Sequence, residues 1–186
     1  MKYEPKTLTL KDGRTAVIRA AQMDDAAEMI RFLTDVSGET DFLLATPEEW
    51  QGMTVEAEQA FLSSTLASES ELMLTAWVDG ALAGVANISF FQRQKLRHRA
   101  SVAISSRRAY WGLGLGKALL GALVDTAKAR PEVRQVELEF IEGNTRARAL
   151  YERLGFRVVG VRPDATTRMD GTLRNEYMMM LKIREE

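Results

Sequence analysis

The stretch from Tyr110 to Leu120 reads Tyr-Trp-Gly-Leu-Gly-Leu-Gly-Lys-Ala-Leu-Leu, with alternating glycines at Gly112, Gly114 and Gly116. Alternating glycines leave successive backbone N–H groups uncovered by side chains, so an anion can approach these groups closely. The good helix formers that follow predict a helix, whose first turn adds unpaired N–H groups and the positive end of a dipole. The stretch therefore predicts a phosphate-binding turn.

The spacing of these glycines argues against two common nucleotide-binding motifs. A P-loop requires glycine at the position of Trp111 and serine or threonine at that of Ala118. A dinucleotide fingerprint requires a third glycine at Lys117 or at Leu119, depending on where it starts, and a second unit of parallel strands. On these residues alone, a helix start that uses glycine only for tight packing remains the alternative.

The composition is typical of a globular protein, and we expect residues 1–186 to form one domain. Hydrophobic residues make up 46% of the chain and charged residues 27%, which argues against long disordered segments. A net charge of −1 provides no basic field for nucleic acid. The absence of cysteine excludes disulfides and thiolate metal sites, and the single histidine leaves no metal-ligand cluster.

The sequence also lacks signals for a membrane or for secretion. No apolar run is long enough to span a bilayer, and the N-terminus has no apolar core of the kind found in signal peptides. We therefore expect a cytoplasmic protein that has neither a membrane nor a nucleic acid as its partner.

The pattern of apolar residues predicts an α/β fold of the α+β type. Asp12-Gly13 between two alternating runs predicts a hairpin, and Thr46-Pro47 followed by Glu49 predicts a capped helix start. The predicted strands are 7–10, 15–19, 72–78, 82–91, 98–106, 133–141, 156–161 and 173–183, and the predicted helices are 24–36, 46–68 with a break at 52–54, the stretch from the glycines to 129, and 145–154. This order predicts a mostly antiparallel sheet with a parallel pair at the glycine-rich crossover.

A second motif follows the glycine-rich helix. Residues 144–156 read Asn-Thr-Arg-Ala-Arg-Ala-Leu-Tyr-Glu-Arg-Leu-Gly-Phe. A strand, a Gly-x-Gly-x-Gly helix, another strand and then Asn-x-x-Ala-x-x-Leu-Tyr-x-x-x-Gly-Phe resemble the GCN5-related N-acetyltransferase (GNAT) family, from roughly Leu72 to Phe156. The resemblance implies a mixed, mostly antiparallel twisted sheet of about seven strands flanked by about four helices.

The resemblance also implies that acetyl-CoA is the co-substrate and that no metal takes part. In the family, backbone amides of the glycine-rich turn bind the pyrophosphate of coenzyme A, and the preceding strand pairs with the pantetheine arm. The corresponding residues here are Trp111 and Gly112 at the start of the turn, the amides of Leu113, Gly114, Leu115, Gly116 and Lys117, and the strand end from Ile104 to Ser106. Asn144 would contact the pantetheine or the acetyl group, or would only cap its helix. Trp111 departs from the arginine or glutamine usual in the family.

The catalytic residues implied by the resemblance are Tyr151 and an acidic base. Tyr151 would protonate the leaving thiolate, because the phenol has an ordinary pKa near 10 and a thiol one of about 8.5; its alternative role is core packing. We prefer Glu39, in the loop after the first helix, as the base. The other candidates are Asp41, Glu137 and Glu139, the last two of which alternate with apolar residues and so also fit a solvent-facing row.

The predicted function is transfer of an acetyl group from acetyl-CoA to a primary amine by direct attack in a ternary complex. The acceptor would be a small molecule or a peptide amine, including a protein N-terminus or a lysine. With no cysteine, an acyl-cysteine intermediate is excluded. The alternative is a non-catalytic acyl-CoA-binding sensor on the same fold, and a homodimer is possible in this family.

Overall fold

The computed structural model describes residues 1–184 of the chain. Its strands in this range are β1 (Lys6–Thr9), β2 (Thr15–Ala20), β3 (Glu71–Val78), β4 (Ala81–Phe90), β5 (Arg99–Ser106), β6 (Gln135–Ile141), β7 (Arg157–Thr167) and β8 (Leu173–Lys182). Its α-helices are α1 (Ala26–Glu39), α2 (Pro47–Gln51), α3 (Val55–Ala67), α4 (Leu115–Lys128) and α5 (Thr145–Arg153). Short 3₁₀ turns at Met23–Asp25 and Arg108–Tyr110 precede α1 and the glycine-rich turn.

The strands form one sheet in the order β1-β2-β3-β4-β5-β6-β8-β7. All neighbouring strands pair antiparallel except β5 and β6, which are parallel. The chain crosses from β5 to β6 through α4, as expected for a parallel connection. The mixed α/β architecture and the parallel pair at the glycine-rich crossover are therefore confirmed.

The parallel pairing between β5 and β6 is short, and the two strands separate beyond it. Residues 99–101 of β5 lie opposite residues 135–137 of β6. Beyond them β5 continues along β4 to Ser106, while β6 continues along β8 to Ile141. The two strands therefore diverge, and among residues 1–184 no strand pairs with β5 over residues 102–106 on its β6 side.

Hydrophobic residues on the two faces of the sheet form separate cores. On one face, α4 and α5 bury large side chains such as Leu119, Leu123 and Tyr151 against β2 to β6. On the other face, α1 and α3 bury Phe32 and Leu62 against β4.

The local signals in the sequence predicted the helix starts well. Thr46 and Glu49 form the predicted capping box at the start of α2, and Thr54 caps α3 after the predicted break. Asp79 and Gly80 both have positive φ in the tight turn between β3 and β4. These features confirm the predicted turns.

Two element counts differ from those that the resemblance implies, although the apolar pattern itself predicted eight strands and a break within 46–68. The described residues form eight strands rather than about seven, and five α-helices rather than about four, because α2 and α3 are separate and β1 joins the sheet edge. β7 is also longer than predicted, since it continues past Pro163 through an irregularity in its pairing with β8. Within residues 1–184, no helix has the length and apolar character needed to cross a bilayer.

Candidate functional site

The glycine-rich turn uses its three glycines for two different reasons. Gly112 and Gly114 have φ angles of 76° and 97°, a left-handed conformation that costs residues with a side chain roughly 1–2 kcal/mol. Apart from the adjacent residues of the chain, no atom of residues 1–184 lies within 4 Å of the place that a Cβ would occupy at either residue, so the turn is open to a ligand. A Cβ on Gly116 would instead lie 3.1 Å from Leu150 Cδ2 and 3.7 Å from Ile104 Cδ1. This third glycine lets α4 pack closely against α5 and β5.

The start of α4 leaves its N–H groups available. Gly114 is the N-cap residue, and it has no side chain to accept a hydrogen bond from the first turn. Leu115 is buried, whereas Lys117 is exposed. The N–H groups of this turn and the positive end of the α4 dipole are therefore free to bind an anion.

The free edge of β5 leads to this turn. Ile104 is half-buried on the strand, in the part that has diverged from β6. The carbonyl of Ser106, at the end of the strand, accepts a hydrogen bond of 2.9 Å from the indole Nε1 of Trp111. The end of β5 and the beginning of the glycine-rich turn are thus tied together by a side chain.

Trp111 also joins the turn to α5. The guanidinium carbon of Arg146, in the first turn of α5, lies 3.1 Å from the centroid of the Trp111 ring. The guanidinium of Arg108 lies 5.6 Å from a Trp111 ring centroid. Trp111, which departs from the family pattern, therefore connects β5, the glycine-rich turn and α5.

Arg146 is a functional candidate that the sequence analysis missed. Partial burial is the main cause that lowers the pKa of Arg146 to about 10, and the charge of Arg108 lowers it further, while Tyr151 acts to raise it. Arg146 remains protonated at neutral pH. A cation in the first turn of a helix opposes the helix dipole, and this unfavourable position was a signal in the sequence that Arg146 has another partner.

Tyr151 combines a core position with a polar group. Its ring packs against Phe140 and Phe156 at centroid distances of 6.0 and 6.2 Å, and the residue is 6% exposed. Burial raises the pKa of Tyr151 to about 12, while the charge of Arg146 acts to lower it. Within the described part of the chain, its hydroxyl is not hydrogen-bonded, so the hydroxyl can serve a ligand.

Asn144 caps the helix that carries Arg146 and Tyr151. Its Oδ1 accepts a hydrogen bond of 3.2 Å from the N–H of Ala147. The capping role considered in the sequence analysis is therefore present. Its side-chain amide Nδ2 remains available to donate a hydrogen bond to a ligand, so the two roles are compatible.

Glu39 is the last residue of α1, so its predicted position in the loop after the first helix is wrong, and it lies beside the residues that lead into the glycine-rich turn. Its Oε2 accepts a hydrogen bond from the backbone N–H of Arg108, and its carbonyl accepts one from the Arg108 guanidinium. Arg107 is also held by α1: its side chain pairs with Asp35 and donates to the carbonyl of Leu82 over 2.9 Å. The end of α1 is thus fixed next to the turn.

The remaining acidic candidates are engaged in ion pairs. Burial acts to raise the pKa of Glu137, but hydrogen bonds from Arg99 and Gln135 lower it below its ordinary value. Arg99 binds Glu137 through two bonds of 2.6 and 2.7 Å, at the point where β5 and β6 still pair. Asp41 pairs with Arg168, and Glu139 with Arg162.

A series of contacts connects the predicted catalytic residues without joining them directly. Glu39 contacts Arg108, the guanidinium of Arg108 lies near Trp111, and Trp111 packs against Arg146, whose charge acts on Tyr151. Among residues 1–184, Glu39 and Tyr151 share no hydrogen bond. The same range holds no group of three or more histidine, aspartate or glutamate side chains placed to bind a metal ion.

Comparisons with known proteins identify the family and the fold of the chain. The sequence profile of the acetyltransferase (GNAT) family matches residues 38–156. The acetyltransferase of the GNAT family from Streptococcus pneumoniae is 32% identical, with 90% of this chain and 99% of that chain covered and a TM-score of 0.84.

More distant structures share the fold. Ribosomal-protein-alanine N-acetyltransferase from Brucella melitensis is 21% identical, with 89% of this chain and 99% of that chain covered and a TM-score of 0.76. RimJ from Mycobacterium smegmatis, in complex with CoA-disulfide, is 20% identical, with 96% of this chain and 87% of that chain covered and a TM-score of 0.76. Since the profile matches more than half of the chain and the relative from Streptococcus pneumoniae matches nearly all of it, the chain belongs to the acetyltransferase (GNAT) family.

Proposed function

We propose that this protein is an N-acetyltransferase that transfers the acetyl group of acetyl-CoA to a primary amine by direct attack in a ternary complex. The observation that carries the proposal is the free edge of β5, which begins where β6 diverges and ends at the glycine-rich turn. An extended arm can pair with such an edge as an added strand. The phosphate group at the end of the arm can then reach the amides of the turn.

Each part of acetyl-CoA has residues that suit it. The amides of residues 113–117 would hold the pyrophosphate, and Gly112 and Gly114 leave open space where side chains would otherwise stand. The edge from Ile104 to Ser106 would pair with the pantetheine arm. The Nδ2 of Asn144 would donate a hydrogen bond near the thioester. The fit therefore rests on an open turn and an unpaired strand edge.

Acetyl-CoA supplies an acetyl thioester, whose acetyl group passes to the acceptor nitrogen as the C–S bond breaks and the sulfur takes up a proton. We assign Tyr151 as the general acid. Its pKa of about 12 keeps the phenol protonated at neutral pH. Complete proton transfer to a thiolate with a pKa near 8.5 costs about 5 kcal/mol, so Tyr151 acts chiefly by donating a hydrogen bond to the departing sulfur, and the released thiolate takes its proton from solvent.

Removal of a proton from the acceptor requires a base, and we assign this role to Glu39. An alkyl ammonium with a pKa near 10 is largely protonated at neutral pH. Glu39 uses its Oε2 to accept the N–H of Arg108, which leaves Oε1 to take a proton from the amine or from an intervening water. The fixed position of the end of α1 supports this role.

Two measurements test the proposal. Isothermal titration calorimetry should show saturable binding of acetyl-CoA, and no heat at millimolar acetyl-CoA would contradict the proposal. Release of free thiol should then be measured with a panel of small amines and of peptides with free N-termini or lysines. Thiol release above the rate of hydrolysis identifies the acceptor class.

A second candidate function is an acyl-CoA-binding sensor. It is favoured by two observations: the carboxylate of Glu39 is already engaged by Arg108, and β5 carries no carboxylate. Binding of acetyl-CoA without thiol release for any member of the panel would support the sensor over the enzyme.

A further inference from the structure

The tip of the β1–β2 hairpin contacts the glycine-rich turn. The carbonyl of Leu10 accepts a hydrogen bond from Gly13 over 3.0 Å, and the N–H of Leu10 donates to the carbonyl of Arg14 over 2.7 Å. Gly13 has a φ of 89°, as in a three-residue hairpin loop that ends in a bulge. The N–H of Lys11 takes no part in these bonds and instead donates to the carbonyl of Leu113 over 3.2 Å.

A second contact fixes the tip on the other side of the turn. The guanidinium of Arg14 lies 4.8 Å from the ring centroid of Tyr110, which directly precedes Trp111. Asp12 holds this guanidinium through a bond of 2.8 Å from Nε. The hairpin tip therefore contacts the chain both before and within the glycine-rich turn.

The bond from Lys11 determines the direction of one amide. In a trans peptide, the C=O of one residue and the N–H of the next point in opposite directions. The carbonyl of Leu113 points toward the hairpin, so the N–H of Gly114 points away from it. We infer that Lys11, through its backbone N–H, orients the Leu113–Gly114 peptide so that the Gly114 amide faces the phosphate ligand. This inference rests on the proposed binding of acetyl-CoA.

The role belongs to the backbone of Lys11 and not to its charge. The Lys11 side chain is exposed, and the contact with Leu113 uses only the main chain. The hairpin also lies outside residues 38–156, which the family profile matches. Residues that act on the phosphate-binding turn are therefore present in a part of the chain to which the family match assigns nothing.

The position of Lys11 allows a clean test. Lys11 is the second residue of a turn, where proline is favoured, so Lys11→Pro removes the N–H while keeping the turn. Lys11→Ala removes the side chain while keeping the N–H. We expect Lys11→Pro to weaken acetyl-CoA binding about tenfold with little change in kcat, as for loss of one orienting hydrogen bond. We expect Lys11→Ala to bind within about twofold of wild type, because the exposed ammonium is screened by solvent.

A second measurement does not depend on the ligand. The ¹⁵N–¹H resonance of Gly114 in the free protein should shift in Lys11→Pro and stay in place in Lys11→Ala. Binding by Lys11→Pro at the wild-type affinity would overturn the inference, and so would an equal loss in both variants, since the charge would then be the contact. If wild type itself fails to bind acetyl-CoA, the proposed function falls, while the Gly114 resonance still tests the orientation.

A third variant guards against misfolding of Lys11→Pro. Arg14→Met keeps an apolar stem on Tyr110 but removes the guanidinium that Asp12 holds. We expect it to weaken acetyl-CoA binding about threefold, as for a loosened cation–π contact. A shifted Gly114 resonance together with wild-type affinity for acetyl-CoA would contradict the inference, because the orientation of the amide would then not matter for binding.

Discussion

The guanidinium of Arg146 stacks on the ring of Trp111 at 3.1 Å from the ring centroid, which joins the first turn of α5 to the start of the glycine-rich turn. This contact places a positive charge close to Tyr151 and compensates for a cation at the unfavourable end of a helix. It links the proposed pyrophosphate site to the proposed catalytic residue.

Replacement of Arg146 by glutamine should reveal both effects. We expect Arg146→Gln to lose about 1 kcal/mol of unfolding free energy with the cation–π contact, measured by chemical denaturation. The pKa of Tyr151 should rise, because the charge that lowers it is gone. The matched control is Arg148→Gln, which removes an exposed guanidinium paired with Glu152 on the same helix. An unchanged pKa of Tyr151 in Arg146→Gln would show that the charge of Arg146 does not affect the phenol.

Removal of the Tyr151 hydroxyl should affect turnover and not binding. We expect Tyr151→Phe to lower kcat about a hundredfold, the usual contribution of a general acid, with the Kd of acetyl-CoA unchanged. Tyr110→Phe is the control, because Tyr110 adjoins the glycine-rich turn and the guanidinium of Arg14 packs on its ring, which the substitution keeps. Full turnover in Tyr151→Phe would remove Tyr151 from the mechanism.

Tyr151 also predicts how stability changes at high pH. Its phenol ionises near pH 10 in the unfolded chain and near 12 in the folded protein. The contribution of this difference to the free energy of unfolding is fully present below pH 10. It is lost as the pH rises through 12, and the total loss is about 3 kcal/mol. Denaturation of wild type and Tyr151→Phe at several alkaline pH values measures it. Parallel stability curves for the two proteins would contradict the raised pKa.

Gly114 and Gly121 offer a matched pair on the same helix. We expect Gly114→Ala to lose roughly 1–2 kcal/mol because of its left-handed φ, and to bind acetyl-CoA more weakly because the turn relaxes. Gly121 lies within α4, has an ordinary φ and has open space around a Cβ, so Gly121→Ala should gain about 0.5–1 kcal/mol. Calorimetry and thermal unfolding measure both changes. Equal acetyl-CoA affinity in the two variants would mean that the turn does not bind the phosphate.

Glu39 can be tested with an isosteric change. Glu39→Gln keeps an oxygen to accept the N–H of Arg108 but removes the base, so we expect kcat to fall about a hundredfold with normal folding. Asp41→Asn, in the adjoining loop where it pairs with Arg168, is the control and should retain activity. The readout is the initial rate of thiol release. If only Asp41→Asn loses activity, the base lies in the loop and not at the end of α1.

The features that the sequence predicted are those set by neighbouring residues. The capping box of Thr46 and Glu49, the turn at Asp79-Gly80 and the open glycine-rich turn at Gly112 and Gly114 each depend on residues within one turn of one another. Caps and turns are formed by residues that are close in sequence, so the order of the residues is enough to predict them. The fold class could be predicted because these local features occur in a specific order along the chain.

The features that it missed join residues far apart in the chain. The contacts of Arg146 with Trp111, of Glu39 with Arg108 and of Lys11 with Leu113 exist only once the sheet has assembled. The end of β7 was missed for a different reason. Pro163 resembles a turn signal, but an edge strand tolerates proline together with an irregularity in the ladder.

The point at which β5 and β6 diverge determines the length of the free edge of β5. The parallel pairing stops after residues 101 and 137, and β5 then runs to Ser106, which provides about 17 Å of free edge at roughly 3.3 Å per residue. Each further parallel pair would shorten this edge by about 3.3 Å. The length of an extended pantetheine arm that can lie between the last β5–β6 pair and the glycine-rich turn is thus set by the number of paired residues. The identity of any one side chain matters less.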